Sequence, residues 1–205
     1  MAISTFAELK SAVSDFLNRD DLDSVIPTFI ALAESQFSRD IRHWRMESRS
    51  SLTINAEYVD LPDDWIETIS INAGNTRPIK LASREAIADK RIDSQDTAGT
   101  PQFYAHIAGK LEFYPTPDGT YTGEILYYGK IPTLSDSNTT NWLLTNFPDA
   151  YLYGALIHSA PYLQEDERSV VWAQMYGAVV QKINQSSDLA TMSGSGLTMK
   201  VRGLG

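Results

Sequence analysis

The 205-residue sequence predicts an α+β fold: a helical bundle from N- and C-terminal helices, with an inserted antiparallel β unit and an extended C-terminal tail. Hydrophobic residues recur every three or four positions near both ends, which is the period of an amphipathic helix. Between them the period changes to two, in short runs rich in β-branched and aromatic residues. We therefore expect a discontinuous helical domain at 1–47 and 141–186, a β domain at 48–140 and a tail at 187–205.

The first helix is predicted to begin after Thr5. Thr5 and Glu8 have the spacing of a capping box, in which each residue satisfies a free backbone N–H group of the other. The apolar stripe then extends from Phe6 to Leu17, and the polar run at 18–21 should end the helix.

A second helix should begin at residue 23 or 24 and end near His43. Pro27 is compatible with it, because proline is tolerated in the first turn of a helix. Arginines cluster toward its far end, where cations complement the carbonyl end of the helix dipole. In so acidic a chain, we expect them to pair with carboxylates of a neighbouring subunit or of the same bundle. These arginines are Arg39, Arg42, Arg45 and Arg49.

The β unit should contain six or seven short strands from about Ser48 onward, forming a small sandwich or a curled sheet. A short helix over 83–90, with Ser83 as its N-cap, should interrupt them. Gly119 is expected to supply the positive φ of a hairpin turn. The predicted turns are Asn55-Ala56, Gly74-Asn75, Gly109-Lys110 and Pro117-Asp118-Gly119.

Helical periodicity returns after a polar connector at 132–141. One helix is expected over 149–163, with Pro161 kinking or ending it, and another over 165–185. The remaining residues are rich in serine and glycine, a composition typical of a flexible segment.

Charge and composition limit the possible functions. The sequence has 26 acidic and 17 basic residues, a net charge of −9, which argues against binding nucleic acid by neutralising phosphates. It has no cysteine, so disulfides, thiolate nucleophiles and cysteine-ligated zinc are excluded. The first residues lack the features of a signal peptide, and no apolar run approaches the roughly 20 residues that span a bilayer. We expect a soluble intracellular protein.

No catalytic, metal-binding or cofactor-binding residues are predicted. His43, His106 and His158 lie far apart and lack the spacing of a zinc helix. Asp63 and Asp64 are adjacent, so on an extended chain their carboxylates would point to opposite faces; a turn before a strand is the favoured interpretation. The sequence contains no nucleophile elbow, phosphate loop or dinucleotide fingerprint.

Aromatic residues are abundant on the predicted C-terminal helices and just before them. They could form a sugar-binding platform, but at helical spacing they are more often core or subunit-interface residues. The set comprises Tyr127, Tyr128, Tyr151, Tyr153, Tyr162, Trp172 and Tyr176.

The order of these segments resembles the adaptor proteins of tailed bacteriophages, also called head-to-tail connector proteins, tail accessory factors or tail tubular proteins. The resemblance begins with TFAELKSAVSDFLNRDDL, IPTFIALAESQFSRDIR and YVDLPDDWIE. It continues with YPTPDGTYTGEILYYGKIPTLSD and then NWLLTNFPDAYLYGALIHSAPYLQEDERSVVWAQMY. The similar region covers most of residues 1–185.

The resemblance implies a non-enzymatic virion protein without cofactors, located at the head–tail junction and assembled in the host cytoplasm. Such adaptors form a ring, typically a dodecamer, beneath the portal protein, and they present a surface to a tail nozzle or tail tube protein. Genomic DNA passes through the channel without specific binding, and no membrane is involved. In these proteins the bundle helices build the ring and the C-terminal segment grips the portal.

Two sets of contact residues follow from the resemblance. The expected portal-binding residues are Met192, Leu197, Met199, Lys200, Val201 and Arg202. The expected subunit-interface residues are Arg39, Arg42, Trp44, Arg45, Trp142, Tyr151, Trp172 and Tyr176.

Two other functions stay open at this point. The first is a carbohydrate-binding or receptor-binding β module of a phage tail, which would use tyrosine and tryptophan platforms. The second is a small hydrolase that uses carboxylates of the β unit, such as Asp63 or Glu112.

Overall fold

The structure, a computed structural model, describes residues 3–74, 78–93, 97–163 and 168–192, with side chains up to residue 190. Helices and strands confirm the predicted α+β class. The chain divides into two compact units, a helical unit (Met1–Arg45 with Ile131–Gly205) and a β unit (Met46–Lys130). Within the described ranges, no helix combines the length and apolar character needed to cross a bilayer.

Helix α1 (Phe6–Leu17) begins with the predicted capping box. The Glu8 backbone N–H donates to Thr5 Oγ1 at 3.3 Å, and the Thr5 N–H donates to Glu8 Oε2 at 3.0 Å. Asn18, in the left-handed conformation with φ 54°, ends the helix. The predicted start and end of this helix are both confirmed.

Helix α2 (Ile26–Asp40) ends three residues before His43, where the sequence predicted its end. The backbone becomes extended at Ile41, and the Ile41 side chain is fully buried. Arg42 then donates from Nη1 to the carbonyl oxygens of Ser38 and Ile41, at 2.9 and 2.7 Å. Burial of Ile41 and this carbonyl capping account for the earlier end.

The described residues in the C-terminal half of the helical unit form three helices, one of which was not predicted. The sequence signal for the helix that was not predicted is Asn141. Its Oδ1 accepts the Leu144 N–H at 2.9 Å and so caps this short helix. The last helix continues seven residues beyond Gln185. These helices are α4 (Trp142–Asn146), α5 (Pro148–Leu163) and α6 (Ser169–Met192).

Helix α5 lies at the centre of the helical unit and contacts α1, α2, α4 and α6. Gly154 lies where it crosses α2. A Cβ atom there would be 3.0 Å from Ala33 Cβ and 3.2 Å from the Phe37 ring. The Phe37 ring also meets the Tyr151 ring edge to face, with centroids 4.9 Å apart. The two helices are therefore packed as closely as a glycine allows.

The β unit contains two sheets that share one hydrophobic core, as a small sandwich does. Sheet one has the order β1-β7-β3 and sheet two the order β2-β6-β5-β4. Ile71 and Ile125 of the first sheet join Leu111 and Phe113 of the second in the core, all fully buried. The strands are β1 (Glu47–Ile54), β2 (Tyr58–Asp60), β3 (Trp65–Ala73), β4 (Lys80–Leu81), β5 (Phe103–Ile107), β6 (Lys110–Tyr114) and β7 (Tyr121–Gly129).

The prediction that this unit is wholly antiparallel was wrong at one pair, since β4 and β5 are parallel. Helix α3 (Arg84–Asp93) connects them, and a crossover of this kind brings a strand back in the same direction. Ser83 caps α3 as predicted, with Oγ accepting the Ala86 N–H at 3.2 Å.

Two turn predictions differ from the structure. The β5–β6 hairpin turns at Ala108 and Gly109, one residue earlier than predicted, with φ of 48° and 78°. Positive φ at both positions is the geometry of a tight hairpin that matches strand twist. Gly119 does not have positive φ, so its predicted role was wrong.

We expect Gly154→Val to lower the free energy of unfolding by about 1–3 kcal/mol, because three added carbons must enter space already occupied by Ala33 and Phe37. Denaturant unfolding followed by tryptophan fluorescence measures the change. Gly177→Ala on α6 is the matched control, since a Cβ there meets no atom within 4 Å. It should raise stability by about 1 kcal/mol. Equal effects of the two substitutions would contradict the close α2–α5 contact.

Candidate functional site

The adjacent carboxylates Asp63 and Asp64 form a turn before β3, as predicted. The Trp65 N–H donates to the Pro62 carbonyl at 3.0 Å. Asp64 Oδ1 accepts the Tyr127 hydroxyl at 2.8 Å. Burial, and after it the Asp64 carboxylate, raises the pKa of Tyr127 to about 12. The pair therefore fixes a strand end and does not converge on a substrate.

Glu112, the other carboxylate considered for hydrolysis, is 7% exposed and bound to Arg91. Arg91 Nη2 lies 3.3 Å from Glu112 Oε1 and 2.9 Å from Glu57 Oε1. Arg91 also donates to the Thr116 hydroxyl, at 2.9 Å. Because these contacts attach α3 to strand β6, the carboxylate has a structural role; removing one partner would leave a buried charge uncompensated.

The three histidines do not form a metal site. Among the described residues, no group of three or more His, Cys, Asp or Glu side chains is positioned to hold a metal ion. The His43 ring accepts the Arg45 N–H at Nδ1, His158 Nε2 lies 3.0 Å from Gln36 Oε1, and His106 packs against aromatic rings. Burial lowers the pKa of all three histidines, which favours neutral packed rings.

The carboxylate whose surroundings most resemble those of an acid–base catalyst was not predicted from the sequence. Glu34 of α2 is 9% exposed. Its Oε1 accepts the Leu134 backbone N–H at 2.7 Å and the Tyr151 hydroxyl at 3.0 Å. Asn141 Nδ2 in turn donates to the Tyr151 oxygen at 2.7 Å. These four residues form a buried polar cluster that joins α2, the connector, the cap of α4, and α5.

Burial raises the pKa of the Glu34 carboxyl, and the hydrogen bonds from Leu134 and Tyr151 oppose that rise. Burial and then the Glu34 charge raise the pKa of Tyr151. A shifted carboxyl can indicate a catalytic centre, but such a centre needs a cleft that admits substrate. Tyr151 is fully buried, and Glu34 Oε1, the Tyr151 hydroxyl and the Asn141 amide group are all hydrogen-bonded inside the protein. The cluster is structural.

Three of the predicted interface residues come together around His43. The His43 ring lies 5.1 Å from the Trp142 ring, nearly parallel to it, and 5.6 Å from the Trp44 ring. Trp44 is 44% exposed, and the Arg45 guanidinium lies 5.2 Å from its ring centre. A groove of about 200 Å³ lies beside them, lined also by Asn146, Phe147 and Ser186. An exposed tryptophan beside an arginine is typical of contact surfaces.

The other predicted interface residues are dispersed. Tyr151, Trp172 and Tyr176 are buried in the helical unit, where the Tyr176 hydroxyl donates to Asp40 at 2.9 Å. Arg39 is exposed, and Arg42 is half-buried at the end of α2. The interface role of these residues stays a prediction. In the structure, the three aromatic side chains pack within one chain.

The aromatic residues do not form an exposed sugar platform. Of the seven considered, Tyr162 exposes 55% of its surface, whereas Tyr127, Tyr151, Trp172 and Tyr176 are buried. Tyr128 and Tyr153 are half-buried. Carbohydrate stacking needs open ring faces, so this arrangement gives the glycan-binding alternative no support.

The predicted portal-binding residues lie almost entirely outside the described residues. Met192 is the last residue of α6, and its side chain is not described. The other five lie beyond it: Leu197, Met199, Lys200, Val201 and Arg202.

Sequence reasoning also missed a set of exposed apolar residues on α6. Val170, Val171 and Met175 are 62%, 50% and 47% exposed. The signal that could have found them is the absence of any charged residue across 169–181, which is unusual for a helix surface.

We expect Glu34→Gln to remove a pH dependence from the stability of the helical unit. Because the folded-state pKa of Glu34 lies above its ordinary value of 4.5, the folded protein holds this proton more tightly than the unfolded chain. The resulting contribution to stability is present at low pH and is lost as pH rises through the folded-state pKa. Unfolding curves at several pH values above 4.5 should therefore show wild type losing stability relative to Glu34→Gln.

Two further variants complete this experiment. Asp23→Asn, which removes an exposed carboxylate of the same unit, is the control for the loss of one negative charge. Glu34→Ala leaves the Leu134 N–H unpaired and should cost about 1–3 kcal/mol. If the stabilities of wild type and Glu34→Gln change with pH in the same way, the raised pKa of Glu34 is contradicted.

Comparison with known proteins agrees with a structural role for this architecture. The model of one family, described as SU10 adaptor protein, matches residues 4–199, nearly the whole chain. No curated protein matches the sequence. The predicted resemblance to phage head-to-tail adaptors is thereby confirmed, and the chain belongs to the SU10 adaptor protein family.

Proposed function

We propose that this protein is a structural component of a phage virion that forms a ring, as a dodecamer, between the portal and the tail. The observation that carries the proposal is the family match over residues 4–199. Membership in a structural adaptor family indicates a non-enzymatic protein of the virion. The structural roles of Glu34, Asp64 and Glu112 are consistent with that indication.

The division into two units suits such a ring. In our proposal the helices of the helical unit form one bundle that builds the ring wall, and the β unit is an insertion in it. A cyclic assembly repeats one contact around the ring, so each subunit must offer two different faces. The exposed Trp44–Arg45 surface and the exposed apolar residues of α6 give the helical unit two candidate faces.

The charge of the chain suits a DNA channel. A subunit with a net charge of −9 repels the phosphate backbone. In the proposed ring, DNA therefore passes through the channel without specific binding. The excess of 26 acidic over 17 basic residues also argues against a role in packaging by direct DNA binding.

Portal binding is assigned in this proposal to the residues that follow α6. Apolar Met192, Leu197, Met199 and Val201 would enter pockets on the portal, with Lys200 and Arg202 pairing with acidic groups. The lower surface of the ring would receive a nozzle or tail tube protein. Assembly would take place in the host cytoplasm.

We expect a chain truncated after Met192 to fold but to lose binding to the portal ring of the same phage. The described helices and strands end at Met192, so the truncation leaves them intact. Light-scattering mass of the mixture measures binding: full-length protein should give a stoichiometric ring on the portal. Circular dichroism of the truncated chain is the control for folding.

Two outcomes would count against these assignments. Portal binding by the truncated chain would remove residues 193–205 from the contact while preserving the adaptor role. A folded full-length protein that never associates with the portal would contradict the adaptor role itself.

A further inference from the structure

Helix α6 has an exposed face that carries no charge. From Ser169 to Gln181 the sequence contains no Asp, Glu, Lys or Arg. On this segment Val170, Val171 and Met175 are 62%, 50% and 47% exposed. A surface helix usually places charged or polar residues opposite its buried stripe. Here the outward face carries no charge: beside the exposed apolar residues it presents only the uncharged polar side chains of Gln174 and Gln181.

The core of the helical unit is complete without that face. The buried stripe of α6 consists of Trp172, Tyr176, Val179 and Ile183, with exposures of 6%, 5%, 9% and 0%. Tyr176 stacks on the Phe37 ring of α2 at 6.2 Å between centroids. Val171 and Met175, four residues apart, lie on a different side of the helix. Their exposure is therefore a property of the outward face and not of a poorly packed core.

Gly177 exposes the helix backbone within the same segment. A Cβ atom added there would meet nothing within 4 Å, so the fold of the single chain does not need a glycine. Glycine in a helix interior is less favourable than alanine. Ala173, one turn earlier, is also exposed. Small residues with apolar neighbours allow another element to approach the helix closely.

We propose that this face of α6 is covered by a second copy of the same chain; the inference rests on the ring proposed above. Every copy carries a net charge of −9, so copies repel each other wherever their acidic surfaces meet. The approach of two copies costs least at a face that has no charge. A different partner that bound this acidic chain through charge would have to be basic. The uncharged face of α6 has no acidic residues for a basic partner to contact.

The composition of the face suits the centre of a subunit interface. Interface centres are depleted in charged residues and enriched in methionine and aromatic residues. Thirteen residues of helix are about 20 Å long. That length supplies only part of the roughly 800 Å² that each partner of a stable interface buries. The remaining area must come from surfaces around α6, which form the rim.

Met175→Glu tests the proposal. A carboxylate placed within the contact would be buried without a partner, so self-association should weaken by at least about tenfold. Sedimentation velocity and native mass spectrometry of the full chain measure it, alone over a range of concentrations and on a purified portal ring. Met175 is 47% exposed, so the thermal midpoint of the single chain should not change.

Ile92→Glu is the matched control, because Ile92 is an apolar helical residue, 77% exposed, in the β unit. It should self-associate as wild type does. Wild-type assembly by Met175→Glu would overturn the α6 contact and leave the ring intact. Loss of portal binding with self-association intact would also overturn it, assigning the face to the portal. Wild type that stays monomeric both alone and on the portal would overturn the contact and the ring together.

Discussion

The hydrogen bonds of one buried carboxylate determine how the two halves of the helical unit fit together. Glu34 contacts the Leu134 N–H, 100 residues later in the chain, and the Tyr151 hydroxyl, 117 residues later. The first contact positions the returning chain and the second sets the rotation of α5. Asn141 extends the cluster to the cap of α4. Helix α6 packs on α5 and is also bound to α2 directly, through the Tyr176 hydroxyl and Asp40.

The β unit also contains a buried charged side chain that connects separate segments of the chain. Arg91 connects α3 to Glu57 and Glu112, and its side chain is mostly buried. Apolar packing tolerates small shifts, whereas buried polar groups need their partners at fixed distances and directions. Such groups add little net stability but specify one arrangement. A subunit that repeats the same contact around a ring gains from having its exposed faces held in one arrangement.

Elements with local signals could be predicted from the sequence. The capping box at Thr5, the N-cap at Ser83 and the alternating strands depend on neighbouring residues, and all were found. The end of α2 depends on burial of Ile41 by distant residues, and the cluster around Glu34 depends on contacts a hundred residues away. A single sequence does not display such contacts.

The prediction of subunit-interface residues from the sequence was limited in a different way. Aromatic residues at helical spacing indicate burial but not what buries them, and for Tyr151, Trp172 and Tyr176 the chain itself does so. In our proposal the signal for a partner is the lack of charge on α6, because a helix face that stays in water usually carries charged or polar residues.

The discontinuous helical unit has a consequence for synthesis on the ribosome. Helices α1 and α2 emerge first, but α5, against which both pack, comes more than a hundred residues later. At ordinary translation speeds this delay is on the order of ten seconds. The β unit is continuous and can fold during that interval, while the apolar stripes of α1 and α2 await their partners. Helix α6 follows every other described helix and strand along the chain, so a nascent subunit displays its uncharged face only after those elements have been made.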